Sequence, residues 1–120
     1  MQRLTVVPMR RWRHFTTAAG RRPTFDYLCG LPAPERLAVL AEMRRVSAAG
    51  VAEARHLRGE IYELRTHGDV SHRVLFAREG RHGHILLALH AFAKTTQKTP
   101  PHHLALADRR LRAWRTRASG

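Results

Sequence analysis

The hydrophobic and polar positions in the first half of the chain predict one strand followed by a short helix. Residues 12–17 are expected to form the strand, and residues 24–29 are expected to form the helix, which Gly30 would end. Residues 1–11 are expected to be an N-terminal extension or the start of the first strand. This half of the chain therefore begins with one extended segment and then becomes helical.

A longer helix is expected over residues 34–48. Pro34 suits the first turn of a helix, and Gly50 suits the position just past a helix end. The spacing of apolar residues predicts a buried side made of Leu37, Leu40 and Ala41, with Val39, Met43 and Val46 on the adjoining rows. The remaining surface of this helix would be basic, with Arg36, Arg44 and Arg45.

In the second half of the chain the pattern changes to the two-residue period of β-strands. Strands are predicted over residues 60–66, 71–78 and 84–93. The segments between them, residues 67–69 and 79–83, contain glycines and are typical of turns. The third of these strands is the most apolar, and we expect it to be central in the sheet.

A C-terminal helix is predicted to begin with Thr99 as its cap and Pro100 at its first position. Its apolar stripe would consist of Leu104, Ala107, Leu111 and Trp114. The whole pattern predicts an α+β fold, in which two N-terminal helices pack on a twisted, mainly antiparallel sheet and a C-terminal helix closes the structure. One domain is expected over residues 12–117, followed by a short tail at residues 118–120.

The strongest feature of the composition is its positive charge. Lysine and arginine total 22, aspartate and glutamate total 9, and the formal net charge is +13. Such a surface favours nucleic acid or the ribosome as a partner, although a genome rich in arginine codons would also raise the arginine content. On the C-terminal helix, the side opposite the apolar stripe would contact RNA through Arg109, Arg110, Arg112 and Arg115.

Other features of the composition narrow the class of protein. The chain has one cysteine, Cys29, which is consistent with a reducing compartment and is expected to be a small buried residue. We expect a cytoplasmic protein without a membrane partner, because no apolar stretch is long enough to span a bilayer. Neither a structural metal nor a cofactor is expected, since the nine histidines lack a convincing set of further ligands.

One group of basic residues could converge on a single face of the sheet. If the turn of the first hairpin centres on Asp69, Arg65 lies directly across from Arg73. Two like charges in that position destabilise a sheet unless an anion lies between them. In the next strand His90 and Lys94 share one face by alternation, and Gln97 and Lys98 follow where that strand ends. The alternative is a set of solvated strand ends.

Three segments of the chain resemble a known family. They are "GEIYELR" at residues 59–65, "RVLF" at residues 73–76 and "HAFAKTTQKTP" at residues 90–100. Together they are similar to the phage-derived, HigB-like branch of the RelE/ParE superfamily of toxins, and the resemblance covers about residues 12–114. His72 and Thr95 depart from the pattern, which usually has Tyr and a second Lys at these positions.

The resemblance implies a RelE-like sandwich and the toxin of a type II toxin–antitoxin system. It also implies a metal-independent messenger RNA endoribonuclease, either ribosome-associated or free, whose nucleophile is the 2′-hydroxyl of the RNA. Arg65 and Arg73 would stabilise the charge that develops on the phosphate, and Lys94 or Lys98 would neutralise the leaving oxygen. His90 would be the general acid or base, unless it is a buried histidine that braces the sheet.

The partners implied are a cognate antitoxin, expected to be a helix-turn-helix protein, together with messenger RNA and the ribosome. Two other functions remain open on the sequence. One is a non-enzymatic, ParE-like toxin that acts by binding a topoisomerase. The other is a nucleic-acid-binding domain whose catalytic site has decayed.

Overall fold

The computed structural model describes residues 9–94 and 98–119, so most of the expected N-terminal extension lies outside the described residues. Within them, three helices pack on a five-stranded sheet. The helices are α1 (Pro23–Cys29), α2 (Ala33–Ala49) and α3 (Pro101–Ser119). The strands are β1 (Arg11–His14), β2 (Arg55–Arg58), β3 (Ile61–Arg65), β4 (Ser71–Glu79) and β5 (Ile85–Lys94).

The order of the strands is β1-β5-β4-β3-β2. Strand β1 runs parallel to β5, and the other neighbouring strands are antiparallel, which confirms the predicted α+β class and the mainly antiparallel sheet. The prediction that the most apolar strand is central was wrong, because β4 is the middle strand and β5 lies between β4 and β1. An apolar run shows that a strand is covered on both faces, and β5 meets that condition without being central.

Strand β2 was not predicted from the sequence. Its residues, RHLR, are mostly polar, and it forms one edge of the sheet against β3. An edge strand is partly solvated on both faces and can carry charges that discourage pairing with other chains. Its sequence therefore lacks the alternation by which the inner strands were recognised.

Two hydrophobic cores lie on opposite faces of the sheet. Helices α1 and α2 cover one face, where Val39, Met43 and Val46 are almost fully buried. Helix α3 covers the other face, where its Ala107 and Leu111 pack on apolar residues of β3, β4 and β5. The sheet is thus the middle layer, and its strands β3, β4 and β5 present residues to both cores.

The predicted buried side of α2 was partly wrong. Val39, Met43 and Val46 face the sheet, whereas Leu37 is 64% exposed and Leu40 is 40% exposed. Both rows of this helix are apolar, so the helical period alone does not show which row the sheet covers. Gly50 ends the helix as predicted, with a φ angle of +86° that favours glycine.

The C-terminal helix begins one residue later than predicted, at Pro101. Its predicted stripe is confirmed, because Ala107 and Leu111 are buried in the second core and Leu104 and Trp114 pack against it. Cys29 is exposed, which contradicts its expected burial. No helix in the described part of the chain combines the length and the apolar character needed to cross a membrane.

Candidate functional site

The hairpin of β3 and β4 places two arginines opposite each other, as the sequence predicted. Arg65 pairs with Arg73 in the register of the strands. Glu63 lies two residues before Arg65 and therefore on the same face of the sheet. The Nε and Nη2 atoms of Arg65 donate to Glu63 Oε1 at 3.1 and 2.5 Å. The negative charge that compensates the two facing arginines is thus the carboxylate of Glu63, a side chain of the protein itself.

Arg73 is buried beneath this group and has a relative exposure of 1%. Its Nη1 atom lies 3.8 Å from Glu63 Oε2 and donates to Thr99 Oγ1 at 3.4 Å. Burial lowers the pKa of Arg73, Glu63 raises it, and the positive charges of Arg65 and Arg55 lower it further. The alternative of a solvated strand end does not hold for Arg73, because β4 continues on both sides of it and its side chain is only 2% exposed.

Thr99 was predicted to cap α3, but its hydroxyl group belongs to the arginine cluster. Its Oγ1 atom donates to Glu63 Oε2 at 2.5 Å, and the residue is 8% exposed. The Glu63 carboxylate consequently links β3, β4 and the segment that leads into α3. The sequence signal for Glu63 was present in Ile61, Glu63 and Arg65, which share one face of a strand that also contributes to the core.

A cleft of about 350 Å³ opens next to this buried group. It is lined by Arg55, Leu57, Lys98, Thr99 and Leu104. The cations Arg55 and Lys98 are exposed, while Leu57 and Leu104 form an apolar wall. The edge strand places Arg55 directly opposite Glu63. Arg55 was missed from the sequence because its strand was missed.

The charges around the cleft do not balance. We call Arg55, Glu63, Arg65, Arg73, Lys98 and Thr99 the cleft cluster. Within it, a single carboxylate lies close to the guanidinium groups of Arg65 and Arg73 and across the strands from Arg55. Lys98 adds a further exposed cation at the opening. The excess of positive charge, part of it removed from water, can stabilise a phosphate group.

The other two predicted catalytic residues lie further along the same face. A β-bulge between β4 and β5 brings His90 opposite Leu75, whereas Ala88 is opposite Phe76. The extra residue reverses the alternation, so His90 and Lys94 share the α3 face with Phe92, which is the cross-strand partner of Arg73. Predicted residue Gln97 lies outside the described residues, as does Thr95.

His90 is part of a stack of aromatic rings under the start of α3. Its Nε2 atom lies 2.7 Å from His103 Nδ1, and the rings of Phe92 and His103 stack with centroids 3.7 Å apart. Burial lowers the pKa of His90 to about 4, and the charges of His103, Arg110 and His102 contribute. His90 is therefore neutral at physiological pH, and its half-buried ring is hydrogen-bonded to His103.

The four arginines predicted on the outer side of α3 are not equivalent. Arg109 and Arg112 are exposed. Arg110 donates to the Leu89 carbonyl at 2.8 Å, and its guanidinium group lies over the Phe15 ring. Arg110 therefore points back towards the sheet and does not lie on the side opposite the apolar stripe, where the sequence predicted it to lie.

Arg115 also contacts the protein itself. Its Nη2 atom lies 2.9 Å from both Glu60 Oε1 and Glu79 Oε2, and these carboxylates raise the pKa of Arg115. The ion pairs connect the C-terminal half of α3 to the ends of β3 and β4. Arg115 thus acts as a clamp for the helix.

His72, which departs from the family pattern, faces away from the cleft cluster. It lies on the side of β4 that α1 and α2 cover. There its Nδ1 atom is hydrogen-bonded to the Tyr27 hydroxyl at 2.7 Å. Its Nε2 atom lies 2.7 Å from Glu35 Oε1. A Tyr at this position, as in the family pattern, would also face away from the cleft cluster. The replacement of Tyr by His72 therefore removes no phenol group from that cluster. No cluster of metal-binding side chains occurs in the described ranges of the chain.

Comparisons with known proteins bear on the same region. The model of the family "Phage derived protein Gp49-like (DUF891)" matches residues 26–112, which include the cleft cluster. The chain is also similar to proteins named "Probable endoribonuclease HigB1" from two strains of Mycobacterium tuberculosis, CDC 1551 / Oshkosh and ATCC 25618 / H37Rv. In each case 37% of 111 aligned residues are identical, and the match covers 89% of this chain and 86% of the relative.

Proposed function

This chain belongs to the phage-derived Gp49-like family, and from that membership we propose that it is a HigB-like toxin that cleaves messenger RNA. The resemblance to the HigB-like branch that the motifs indicated is confirmed by the family match and by the two mycobacterial relatives. The observation that carries the proposed activity is the cleft cluster, in which one carboxylate serves several cations beside an open cleft.

The reaction suits a site built from cations. The 2′-oxygen of a ribose attacks the adjacent phosphorus, the bond from phosphorus to the 5′-oxygen breaks, and a 2′,3′-cyclic phosphate and a free 5′-hydroxyl result. A proton leaves the 2′-hydroxyl, and another is taken up by the 5′-oxygen. Negative charge grows on the phosphate oxygens in between, and forked donors such as arginine stabilise it. Because the RNA supplies the nucleophile, we propose that no metal or cofactor takes part.

The residues divide into those that can meet the RNA and one that supports them. Arg65, together with the exposed Arg55 and Lys98, would contact the phosphate, and Arg73 would add its positive charge from beneath. Lys94 or Lys98 would neutralise the leaving oxygen. His90 is neutral at physiological pH, so it can accept the proton of the 2′-hydroxyl but cannot supply one as an imidazolium.

The same charge suggests the partners. A net charge of +13 would draw the protein to ribosomal and messenger RNA, and it suits neutralisation by an acidic or helix-turn-helix antitoxin. We propose that the toxin domain spans residues 12–117 and that it acts in the cytoplasm. Gln97, Arg109 and Arg112 would extend the RNA-binding surface beyond the cleft.

The experiment that tests this function is cleavage of a labelled messenger RNA by the purified protein, with and without ribosomes, paired with growth after induced expression. We expect growth arrest that a neighbouring antitoxin gene relieves, and RNA cleavage under at least one of the two conditions. Arrest without cleavage would favour a ParE-like toxin that acts by binding. RNA binding with neither arrest nor cleavage would indicate a decayed site.

A further inference from the structure

The Glu63 carboxylate is an unusual feature of the α3 face of the sheet. Its side chain has no exposed surface, and the residue before it on the same face, Ile61, is also fully buried. Burying a carboxylate is costly unless hydrogen bonds and opposite charges compensate for the lost water. Glu63 has such compensation, and its two oxygen atoms have different partners.

The Oε1 atom of Glu63 fixes one edge of the Arg65 guanidinium group. Both Nε and Nη2 donate to this oxygen, so the plane of the group is set by the carboxylate. The side chain of Arg65 remains 19% exposed, whereas that of Arg73 is 2% exposed. Arg65 is therefore the member of the facing pair that remains within reach of solvent, and its orientation depends on Glu63.

The Oε2 atom of Glu63 fixes one wall of the cleft. It accepts the hydrogen bond from the Thr99 hydroxyl, and Thr99 lines the cleft beside Lys98. One buried carboxylate thus sets both the orientation of Arg65 and the position of the segment that carries Lys98. Because the cluster retains an excess of positive charge, Glu63 can orient these groups without cancelling their attraction for phosphate.

We propose that Glu63 is a positioning residue for RNA cleavage, and this inference rests on the proposed function. A buried ion network is seldom needed for stability, because well-packed apolar residues of similar volume are often as good or better. A network of this kind is useful where a donor must already be oriented before the transition state forms. Glu63 would act through Arg65 and Thr99 and would not itself touch the RNA.

This role predicts that Glu63→Gln slows the catalytic step but strengthens the binding of RNA. The amide keeps the shape of the side chain but removes its charge, so Arg65 loses the charged acceptor that holds one edge of its guanidinium group. We expect kcat to fall on the order of 100-fold, the scale of a misplaced catalytic group. We expect KM for RNA to fall about two- to fivefold, the scale of one partly solvated charge pair, because the cleft gains positive charge.

The test is steady-state cleavage of a labelled RNA by the full-length wild type, Glu63→Gln and Glu63→Asp, with circular dichroism at the assay temperature. Glu63→Asp keeps the charge but shortens the side chain, so its kcat should lie between the other two. Glu42→Gln, on α2 behind the opposite face, removes the same charge away from the cleft and should leave both constants unchanged. Folded Glu63→Gln with wild-type kcat, or an apparent kcat that falls only in proportion to the loss of folded protein while KM is unchanged, would overturn the proposal.

A second variant covers the case in which Glu63→Gln does not fold. Thr99→Val has nearly the same shape and retains every charge, but it removes the hydrogen bond that Thr99 donates to Glu63 Oε2 and the longer one that it accepts from Arg73 Nη1. We expect its kcat to fall about tenfold, the scale of one hydrogen bond to a charged group, with little change in KM. Wild-type kcat for this variant would contradict the role. A wild type that fails to cleave RNA would instead overturn the proposed function itself.

Discussion

Two of the regions in which arginines meet carboxylates differ in the ratio of their charges. At the clamp of α3, the single guanidinium group of Arg115 contacts the carboxylates of Glu60 and Glu79. In the cleft cluster, the carboxylate of Glu63 serves both Arg65 and Arg73. Arg78 also acts on Glu60, so the charges at the clamp are close to balanced, whereas the cleft is locally basic, in a chain whose net charge is +13.

The comparison shows that the number of arginines in a segment does not give the charge that is available to a ligand. Helix α3 holds five arginines along residues 109–117, but Arg110 and Arg115 contact the protein itself. The cleft has fewer cations, yet they are only partly compensated and lie beside an open space. We therefore expect RNA cleavage to take place at the cleft. Helix α3 should only attract RNA through its positive charge.

The largest effect should follow from the loss of Arg65. Arg65→Ala removes a donor to the transition state, and we expect kcat to fall by roughly 10²- to 10³-fold. Arg65→Lys should recover only part of this loss, because an ammonium group lacks the planar pair of donors. Arg109→Ala removes the same charge from the exposed side of α3 and serves as the control. Equal losses for Arg65→Ala and Arg109→Ala in a cleavage assay would remove the distinction between the two regions.

The next effect concerns stability. Arg73→Ala leaves a cavity and takes away one of the charges that compensate buried Glu63, so we expect the free energy of unfolding to fall by about 3 kcal/mol. Urea denaturation followed by circular dichroism measures this change. Arg115→Ala, at the solvated clamp, should cost at most about 1 kcal/mol. An Arg73→Ala variant as stable as the wild type would show that buried Arg73 does not contribute to the free energy of unfolding.

The sequence predicted the parts of the site that depend on local structure. The facing pair of Arg65 and Arg73 followed from a turn a few residues away, because a short hairpin sets its own register. The shared face of His90 and Lys94 followed from alternation within one strand. The class of fold followed in the same way from the period of the apolar residues.

Other parts of the site depend on contacts between distant segments and could not be predicted. Arg55 reaches the cleft through a polar edge strand, and Thr99 meets Glu63 across 36 residues of sequence. Likewise, the acids that hold Arg115 lie at the ends of β3 and β4, so its role as a clamp was not visible from the helix alone. In each case the contact depends on which segments are neighbours in the fold, and the period of the apolar residues does not show this.

Salt dependence of RNA binding gives a smaller effect that sharpens the comparison along α3. If Arg109 and Arg112 contact phosphates, replacing both with Ala should lower the slope of log K against log salt by about 1.4 for single-stranded RNA. Arg115→Ala should leave the slope nearly unchanged, because its guanidinium group is already paired. Titrations of RNA binding at several salt concentrations measure the slopes. Equal slopes for the two variants would contradict the distinction between exposed Arg109 and Arg112 and the paired Arg115.

The smallest effect is a pH dependence of stability at the ring stack. The pKa of His90 is about 4 in the folded protein and 6.5 in the reference state, so the unfolded chain takes up the proton first on acidification. Stability from neutral His90 should be present above pH 6.5 and lost as the pH falls towards 4. We expect Tm to drop by a few degrees over this range and His90→Gln to flatten the drop. His67→Gln, in an exposed turn, should leave the drop unchanged, and a drop unaffected by His90→Gln would exclude His90 as its source.

The measurement that tests the central claim most directly is the chemistry of the RNA ends after cleavage in the presence of EDTA. The account predicts that the wild type still cleaves and leaves a 2′,3′-cyclic phosphate with a free 5′-hydroxyl, and that Arg65→Ala gives the same ends at a much lower rate. Products with a 5′-phosphate and a free 3′-hydroxyl, or a cleavage of ribosome-free RNA that EDTA abolishes, would contradict a site that works through arginine and lysine charge alone.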